Sequence, residues 1–402
     1  MTQLAETLFR NTPPIAWRQL LSLQHFQQST QNSTNIKQVT YCQGKFNISA
    51  QQQQVMNKPN CGSGSDNSSY YLTLIGPTVT SDALLTLLSA LSTLQPSADI
   101  IIYPPATYPL AMEPLLTDPR TTDPLINSHA TQGNIVVLGF TELFTELFTE
   151  LSTKLRQQFN ATLSSWSNDY HVDYAFSQTL PSLSQPGVVL MDMDSTTIQI
   201  ECIDEIAKLA GVGEQVAAVT AKAMNGELDF SASLRSRVAT LTNCPEAVLT
   251  QVADAMPLMP GLELLIATLH QANWKVAIAS GGFSYFAERL QTDLGFDAVY
   301  ANELEIVDGL LTGKVIGDIV DAQVKADTLQ ALATQYQIAP QQTVAIGDGA
   351  NDLIMLKSAA LGVAIHAKPI VQQQAQVALN HHDLDGLVGL LHAATCVEAS
   401  WS

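Results

Sequence analysis

From Gly187 to Ile365 the apolar positions come in short unbroken runs: Val188 to Met191, Lys275 to Ala279, Thr343 to Ile346 and Gly362 to Ile365. Runs of four or five bounded by turn residues are what parallel strands covered on both faces require. Helical segments lie between them, so the pattern predicts an α/β fold with a doubly wound parallel sheet. Glu303 to Val307 and Leu310 to Ile316 flank Asp308-Gly309, the signature of a hairpin, and Asp383 to His392 reads as a closing helix. Asp192 and Ser280 are 88 residues apart, whereas a βαβ crossover closes in about thirty. The surplus, rich in helix formers from Cys202-Ile203 to Pro260-Gly261, predicts a small helical cap over about 203–262, inserted after the first strand of this sheet.

Upstream the pattern changes. Tyr70 to Ile75, Asp99 to Tyr103, Asn134 to Phe140 and Ala161 to Trp166 read as strands, with helices over Ser81 to Leu94 and Thr141 to Phe159 and a Pro-rich loop from Pro104 to Asp123. This βαββαβ order resembles a ferredoxin-like regulatory fold of the ACT type, giving an ACT-like α+β domain over 70–180 and an α/β domain over 181–402. Within it, Thr141 to Leu151 repeats a four-residue unit that aligns Leu143, Leu147 and Leu151 along one helical row and Phe144 and Phe148 along the next. That row packs the helix on its own sheet or forms a homodimer contact through the N-terminal domain. Residues 1–69 are Gln- and Asn-rich and end in a Gly, Ser and Asn tract, the composition of an extension and linker. A strand near Val39-Thr40-Tyr41 and a helix from Trp17 to Phe26 are expected inside it.

Charge and cysteines narrow the function classes. The net charge is −19 with 14% charged residues, and no Lys/Arg cluster offers a footprint for nucleic acid. Such a chain is repelled by anionic membranes, so an anionic substrate must be gathered by a local site. Cys42, Cys61, Cys202, Cys244 and Cys396 are scattered, odd in number and without Cys-x-x-Cys spacing, so neither a disulfide framework nor a zinc site is expected. With no basic segment leading into an apolar stretch and no run of 18 apolar residues, a cytoplasmic protein is expected.

The chemistry sits at strand ends. Asp192 and Asp194 close the Val188 run, at the carboxyl edge where open α/β sheets bind ligands. A calcium loop of the EF-hand type lacks its further offsets here, and helix capping accounts for Ser195 or Thr196 but not for an aspartate pair. Ser280-Gly281-Gly282 ends the second run ahead of a helix expected from Phe283 to Leu290, where backbone N–H groups can approach a phosphate. Lys325 follows the hairpin, and Gly347-Asp348-Gly349-Ala350-Asn351-Asp352 ends the third run with carboxylates suited to a hard cation. Alone, each is weak: Ser-Gly-Gly is usually a turn and a lone lysine a solvated residue.

In this order, Asp-x-Asp-x-Thr, Ser-Gly-Gly, Lys and Gly-Asp-Gly-x-Asn-Asp resemble the haloacid dehalogenase superfamily of phosphotransferases. Glu201, Met224, Phe230 and Ser233 to Val238 narrow the resemblance to its phosphoserine phosphatase family. It implies Mg²⁺-dependent hydrolysis of O-phospho-L-serine through an aspartyl-phosphate, the last step of serine synthesis. By that resemblance Asp192 is the nucleophile and Asp194 the acid and base. Asp192, Asp348 and the main-chain carbonyl of Asp194 hold Mg²⁺. Ser280, Gly281 and Lys325 bind the phosphoryl oxygens. Asn351 reaches toward the substrate and, with Asp352, steers the metal's waters and Lys325. Glu201 reads the ammonium, Arg237 the carboxylate, and Met224 and Phe230 form an apolar wall. Two other readings are another small phosphomonoester as substrate, or a receiver-like protein that stores phosphate on Asp192.

Overall fold

The computed structural model describes residues 38–42, 45–49, 68–76, short helical stretches between 83 and 91, 100–102, 106–107, 134–141, 153–225 and 227–399. Two compact units share the chain, Met1–Thr179 with Gly389–Ser402, and Leu180–Val388. Among the described residues no helix is long and apolar enough to cross a membrane.

The first unit contains β1 (Gln38–Cys42), β2 (Lys45–Ser49), β3 (Ser68–Gly76), β4 (Ile100–Ile102), β5 (Ala106–Thr107), β6 (Asn134–Thr141), α1 (Thr153–Tyr170) and β7 (Asp173–Ser177). Its strands pair antiparallel in the order β1-β2-β4-β6-β3-β7, with β5 on β6. The strand expected over Ala161 to Trp166 is instead the middle of α1. Phe159, Leu163 and Trp166 are buried at helical spacing, while Asn160, Ala161, Ser164 and Ser165 between them are exposed, a period of 3.6 rather than 2. The chain leaves that helix through His171 at φ 53° and forms β7, whose Phe176 ring meets Phe159 edge-on at 5.0 Å. Thr141 ends β6 instead of starting a helix, and the rest of the four-residue repeat lies outside the described residues, as does the helix expected from Trp17 to Phe26.

The second unit opens with β8 (Val188–Met191), every residue buried. The cap follows as α2 (Cys202–Leu209), α3 (Gly213–Met224), α4 (Phe230–Ala239) and α5 (Ala247–Asp254). Then come α6 (Leu262–Gln271), β9 (Lys275–Phe283), α7 (Ser284–Leu294), β10 (Ala298–Val307), β11 (Leu310–Ile316), α8 (Ala322–Gln335), β12 (Thr343–Gly347), α9 (Leu353–Ser358), β13 (Leu361–Ile365), α10 (Pro369–Gln372) and β14 (Val377–Leu379). The closing helix α11 (Asp385–Ala399) starts later and runs longer than the sequence pattern indicates, and in the first unit its Ala393 packs with Tyr71, Ile135 and Val137.

The strands of this unit lie in the order β14-β13-β12-β8-β9-β10-β11, all neighbours parallel except the β10–β11 hairpin. Asp308 and Gly309 turn that hairpin at φ 50° and 74°, as a two-residue primed turn requires. One sheet face is largely small: Val188, Leu190, Ala277, Ala279, Ala345 and Ala364 pack against Leu329, Leu332, Met355 and Leu356 of α8 and α9. Burying each Val or Leu side chain contributes roughly 1.5–3 kcal/mol.

The register decides where the chemistry falls. Met191 is level with Ile278 of β9 and with Ile346 of β12, so the three chains leave the sheet side by side at its carboxyl edge. From the centre the order runs to β9 on one side and to β12 on the other, which makes β8 the topological switch point.

Candidate active site

The Asp192 N–H donates to the Ile346 carbonyl at 2.9 Å, fastening the end of β8 to β12. Beyond it the chain folds back tightly, with the N–H groups of Thr196, Thr197 and Ile198 converging on the Met193 carbonyl at 3.2, 2.8 and 3.0 Å. Asp192 is thereby buried, and Asp194 faces a cavity of about 330 Å³. Glu201, Phe230, Arg237, Ser280, Gly281, Asp348 and Asn351 share its walls with both aspartates.

Lys325, which taken alone has the character of a solvated residue, is 1% exposed. Asp321 caps α8 by accepting from the Gln323 and Val324 N–H groups, and one turn later Lys325 points into the sheet edge. Its Nζ lies 2.8 Å from Asp192 Oδ2 and 2.7 Å from Asp352 Oδ1. Burial works to lower the Lys325 pKa, but those two carboxylates hold it above the usual lysine value. Asp352 is fully buried behind the cavity, and its other oxygen accepts from the Gly349 N–H at 3.0 Å. A side chain at Gly347 would overlap Asp352 at 2.5 Å, so this approach needs glycine.

Ser280 to Gly282 continue β9 as extended strand, and the helix starts only at Ser284. The helix thus starts one residue later than expected, with Phe283 as its N-cap, and the strand end before it is held from the side. Asn302, 1% exposed on β10, donates to the Gly281 carbonyl and accepts from the Val320 N–H, both at 2.9 Å. Sequence reading missed Asn302; its signal was an amide inside an otherwise strand-forming run, at a register shift between Tyr300 and Asn302. Thr196, the threonine of the Asp-x-Asp-x-Thr motif, donates its hydroxyl to Asp348 Oδ1 at 3.2 Å.

The cap supplies the opposite wall. Asp229 accepts from the Ala232 N–H at 2.7 Å and starts α4, placing Phe230, Leu234 and Arg237 at i, i+4 and i+7 on the cavity face. The Phe230 ring lies directly over Gly281, where a Cβ would meet it at 2.6 Å. Ile203 and Leu234 extend the apolar wall, and Lys368 stands at the rim; Leu234 lies within the Ser233 to Val238 motif, and nothing in the sequence marks Ile203 or Lys368. The Met224 side chain lies outside the described residues.

The cavity crowds carboxylates. Burial, then Glu201 and Asp192, push the Asp194 carboxyl well above its ordinary range, and its Oδ1 is buried without a hydrogen-bond partner. Burial, with Asp192 and Glu201 adding to it, pushes Asp348 up to about 6. Glu201 is raised by burial, with its Ser195 hydrogen bond opposing. Arg237 Nε is likewise buried and unpartnered. Carboxylate oxygens of Asp192, Asp348 and Asp352 all lie within 4.8 Å of one another; with both Asp352 oxygens engaged by Lys325 and Gly349, Asp192 and Asp348 are the carboxylates that face the cavity, oxygen donors that fit a hard divalent cation.

Residues 186–360 match the haloacid dehalogenase-like hydrolases. The phosphoserine phosphatase of Vibrio cholerae is 56% identical over 231 residues, 58% of this chain and 70% of the relative. The chain belongs to the phosphoserine phosphatase family. The enzyme of Haemophilus influenzae is 57% identical over 228 residues, 57% of this chain and 73% of that one. In structure, the unliganded probable phosphoserine phosphatase of Vibrio cholerae aligns at a TM-score of 0.62 and 40% identity, over 83% of this chain and 90% of that chain. A haloacid dehalogenase family hydrolase of Salmonella enterica aligns at 0.65 and 31% identity, over 80% of this chain and 98% of that chain. The family's fold accounts for the mostly parallel sheet with its switch point at β8.

Proposed function

We propose that the chain hydrolyses O-phospho-L-serine to L-serine and phosphate, with the phosphoryl group carried on Asp192 between two half-reactions. The observation that carries this reading is the convergence of Asp192, Ser280 and Asp348 at three adjacent strand ends, facing Glu201 and Arg237 across one cavity.

In the first half-reaction an Asp192 oxygen attacks phosphorus and the bond to the seryl oxygen breaks. Asp194, whose carboxyl is held on the high side by burial and then by Glu201 and Asp192, gives a proton to that oxygen. In the second, Asp194 takes a proton from water as the water attacks the acyl-phosphate, and phosphate leaves. Ser280, the Gly281 N–H and Lys325 bind the phosphoryl oxygens, where charge spreads in the transition state. Lys325, braced by Asp352, is supported from a residue that does not touch the cavity.

Mg²⁺ is the cation we assign to this site, held by Asp192, Asp348 and the Asp194 main-chain carbonyl. Bound there, it supplies charge screening between the nucleophile and the phosphate. Glu201 pairs with the substrate ammonium, and Arg237, whose Nε has no partner, with its carboxylate. Phe230 closes the apolar side over Gly281. Asn351 donates to Asp192 Oδ2 at 3.4 Å, which supports a role beside the nucleophile.

The first unit we read as ferredoxin-like and ACT-like, a reading supported by its antiparallel order β4-β6-β3-β7. A homodimer contact through it and a cytoplasmic location complete the proposal.

The test is phosphate release from phosphoserine with and without Mg²⁺, beside glycerol phosphate and pyridoxal phosphate. Release from phosphoserine in strong preference to the others is expected. Equal turnover of all three would remove the substrate assignment, and a long-lived acyl-phosphate without released phosphate would make the protein a phosphate store.

A further inference from the structure

Ser195, between Asp194 and Thr196, sits in the left-handed region at φ 57°. That conformation is uncommon for a residue bearing a Cβ and is enriched where a local constraint holds it. Glycine or asparagine would adopt it more readily, so the backbone alone does not call for serine. What serine adds is a hydroxyl, and it donates to Glu201 Oε1 at 2.9 Å. The Ser195 N–H is already taken by the Ile200 carbonyl at 3.2 Å, closing the six-residue segment on itself and fixing the direction of the side chain.

Glu201 is the N-cap residue of α2, yet its carboxylate makes no capping bond. The side chain instead lines the cavity, steadied by Ser195 and near enough to Arg237 to feel its charge. A long flexible carboxylate reads an ammonium well only if its rotamer is fixed beforehand.

We infer that Ser195 is a positioning residue for substrate choice, its strained backbone aiming a hydroxyl that holds Glu201 toward the substrate's amine. This rests on the reading of Glu201 as the ammonium partner. Loss of Ser195 leaves the phosphoryl pocket intact and loosens one oxygen of the amino-acid pocket. The consequence falls on substrates that carry an amine.

The decisive variant is Ser195→Gly, which keeps the left-handed backbone and removes only the hydroxyl; Ser195→Ala is its companion. Steady-state kinetics are measured with phosphoserine and with 3-phosphooxypropanoate, the same molecule without its amine. Ser195→Gly is expected to lower kcat/KM for phosphoserine about tenfold through KM, the weight of one hydrogen bond to a charged group. The amine-free substrate should stay within about twofold. In a Glu201→Gln background Ser195→Gly should cost nothing more, because the hydroxyl then positions a side chain that no longer carries the charge pairing with the ammonium. Equal losses on both substrates, or an additive effect on Glu201→Gln, would overturn the role of Ser195. If Glu201→Gln itself fails to favour the amine-free substrate, it is the ammonium assignment that falls.

Discussion

Lys325 Nζ lies 2.8 Å from Asp192 Oδ2, an ion pair in which the lysine is 1% exposed. The same ammonium serves Asp352, so one cation pairs with two buried carboxylates at once. Lys325→Met keeps the unbranched side chain to within one atom and leaves both without their counter-ion. It is expected to lower stability by about 3–5 kcal/mol, the range for breaking a buried pair from one side. Activity should fall at least a hundredfold. Adding Asp352→Asn should recover part of the denaturant midpoint and none of the activity; recovery of both would show that Lys325 acts only on folding.

Asp194 separates leaving-group chemistry from attack. Asp194→Asn removes the proton donor, and general acid catalysis is worth about 10²–10⁴-fold. The loss should appear in full with phosphoserine, whose alkoxide is a poor leaving group. With p-nitrophenyl phosphate, which needs no proton on departure, a burst of one nitrophenolate per chain should survive, followed by slow turnover. Absence of the burst, with phosphoserine and nitrophenyl phosphate equally impaired, would remove the acid role from Asp194.

The parallel sheet and the three strand ends were legible because buried parallel strands write themselves as unbroken apolar runs, and Asp192, Ser280 and Asp348 punctuate three of them. The β10–β11 hairpin was legible from Asp308-Gly309 for the equally local reason that its turn needs two positive φ angles. The helix Thr153–Tyr170 was legible only as far as Phe159, where the expected helix ends; Ala161-Thr-Leu-Ser-Ser-Trp166 alternates enough to read as a strand, and its helical period shows only over a longer window. Asn302 could not be found for a different reason. Its contacts to Gly281 and Val320 cross 21 and 18 residues, and nothing local to Asn302 says what stands beside it. The same holds for Thr196, whose partner Asp348 is 152 residues away. Lys325 was legible as a site residue only by resemblance, since its burial depends on where α8 packs.

Asn302→Ala tests that long-range support. It leaves the Gly281 carbonyl and the Val320 N–H without their buried partner, at a cost of about 1–3 kcal/mol. Because Gly281 belongs to the phosphoryl pocket, kcat/KM should fall for all phosphomonoesters alike. A variant that is destabilised yet keeps its wild-type kcat/KM at low temperature would confine Asn302 to the fold.

Metal removal gives a readout that does not depend on turnover. A ligand present at a hundred times its Kd stabilises the native state by about 2.7 kcal/mol. Mg²⁺ should therefore raise the thermal midpoint of chelator-treated protein, and chelated protein should release no phosphate. Asp348→Asn should abolish most of the Mg²⁺-dependent rise while leaving the metal-free midpoint unchanged or higher, since it removes a carboxylate crowded by Asp192 and Glu201. An undiminished rise in that variant would place the cation elsewhere.

Glu201 predicts a pH dependence specific to the amine. Burial raises its carboxyl, Asp192 adds to the rise, and the Ser195 hydroxyl opposes it, leaving the group above the ordinary glutamate value of about 4.3. Only the ionised form attracts an ammonium. In the free protein the proton is held more tightly than usual, so acidification should neutralise Glu201 at a higher pH than an unperturbed glutamate. KM for phosphoserine should then rise on the acid side earlier than KM for 3-phosphooxypropanoate, whose phosphate and carboxylate titrate in the same range and serve as the control. Glu201→Gln should bring the two profiles together by removing the titrating group. Parallel profiles in the unmodified protein would mean that Glu201 does not read the amine.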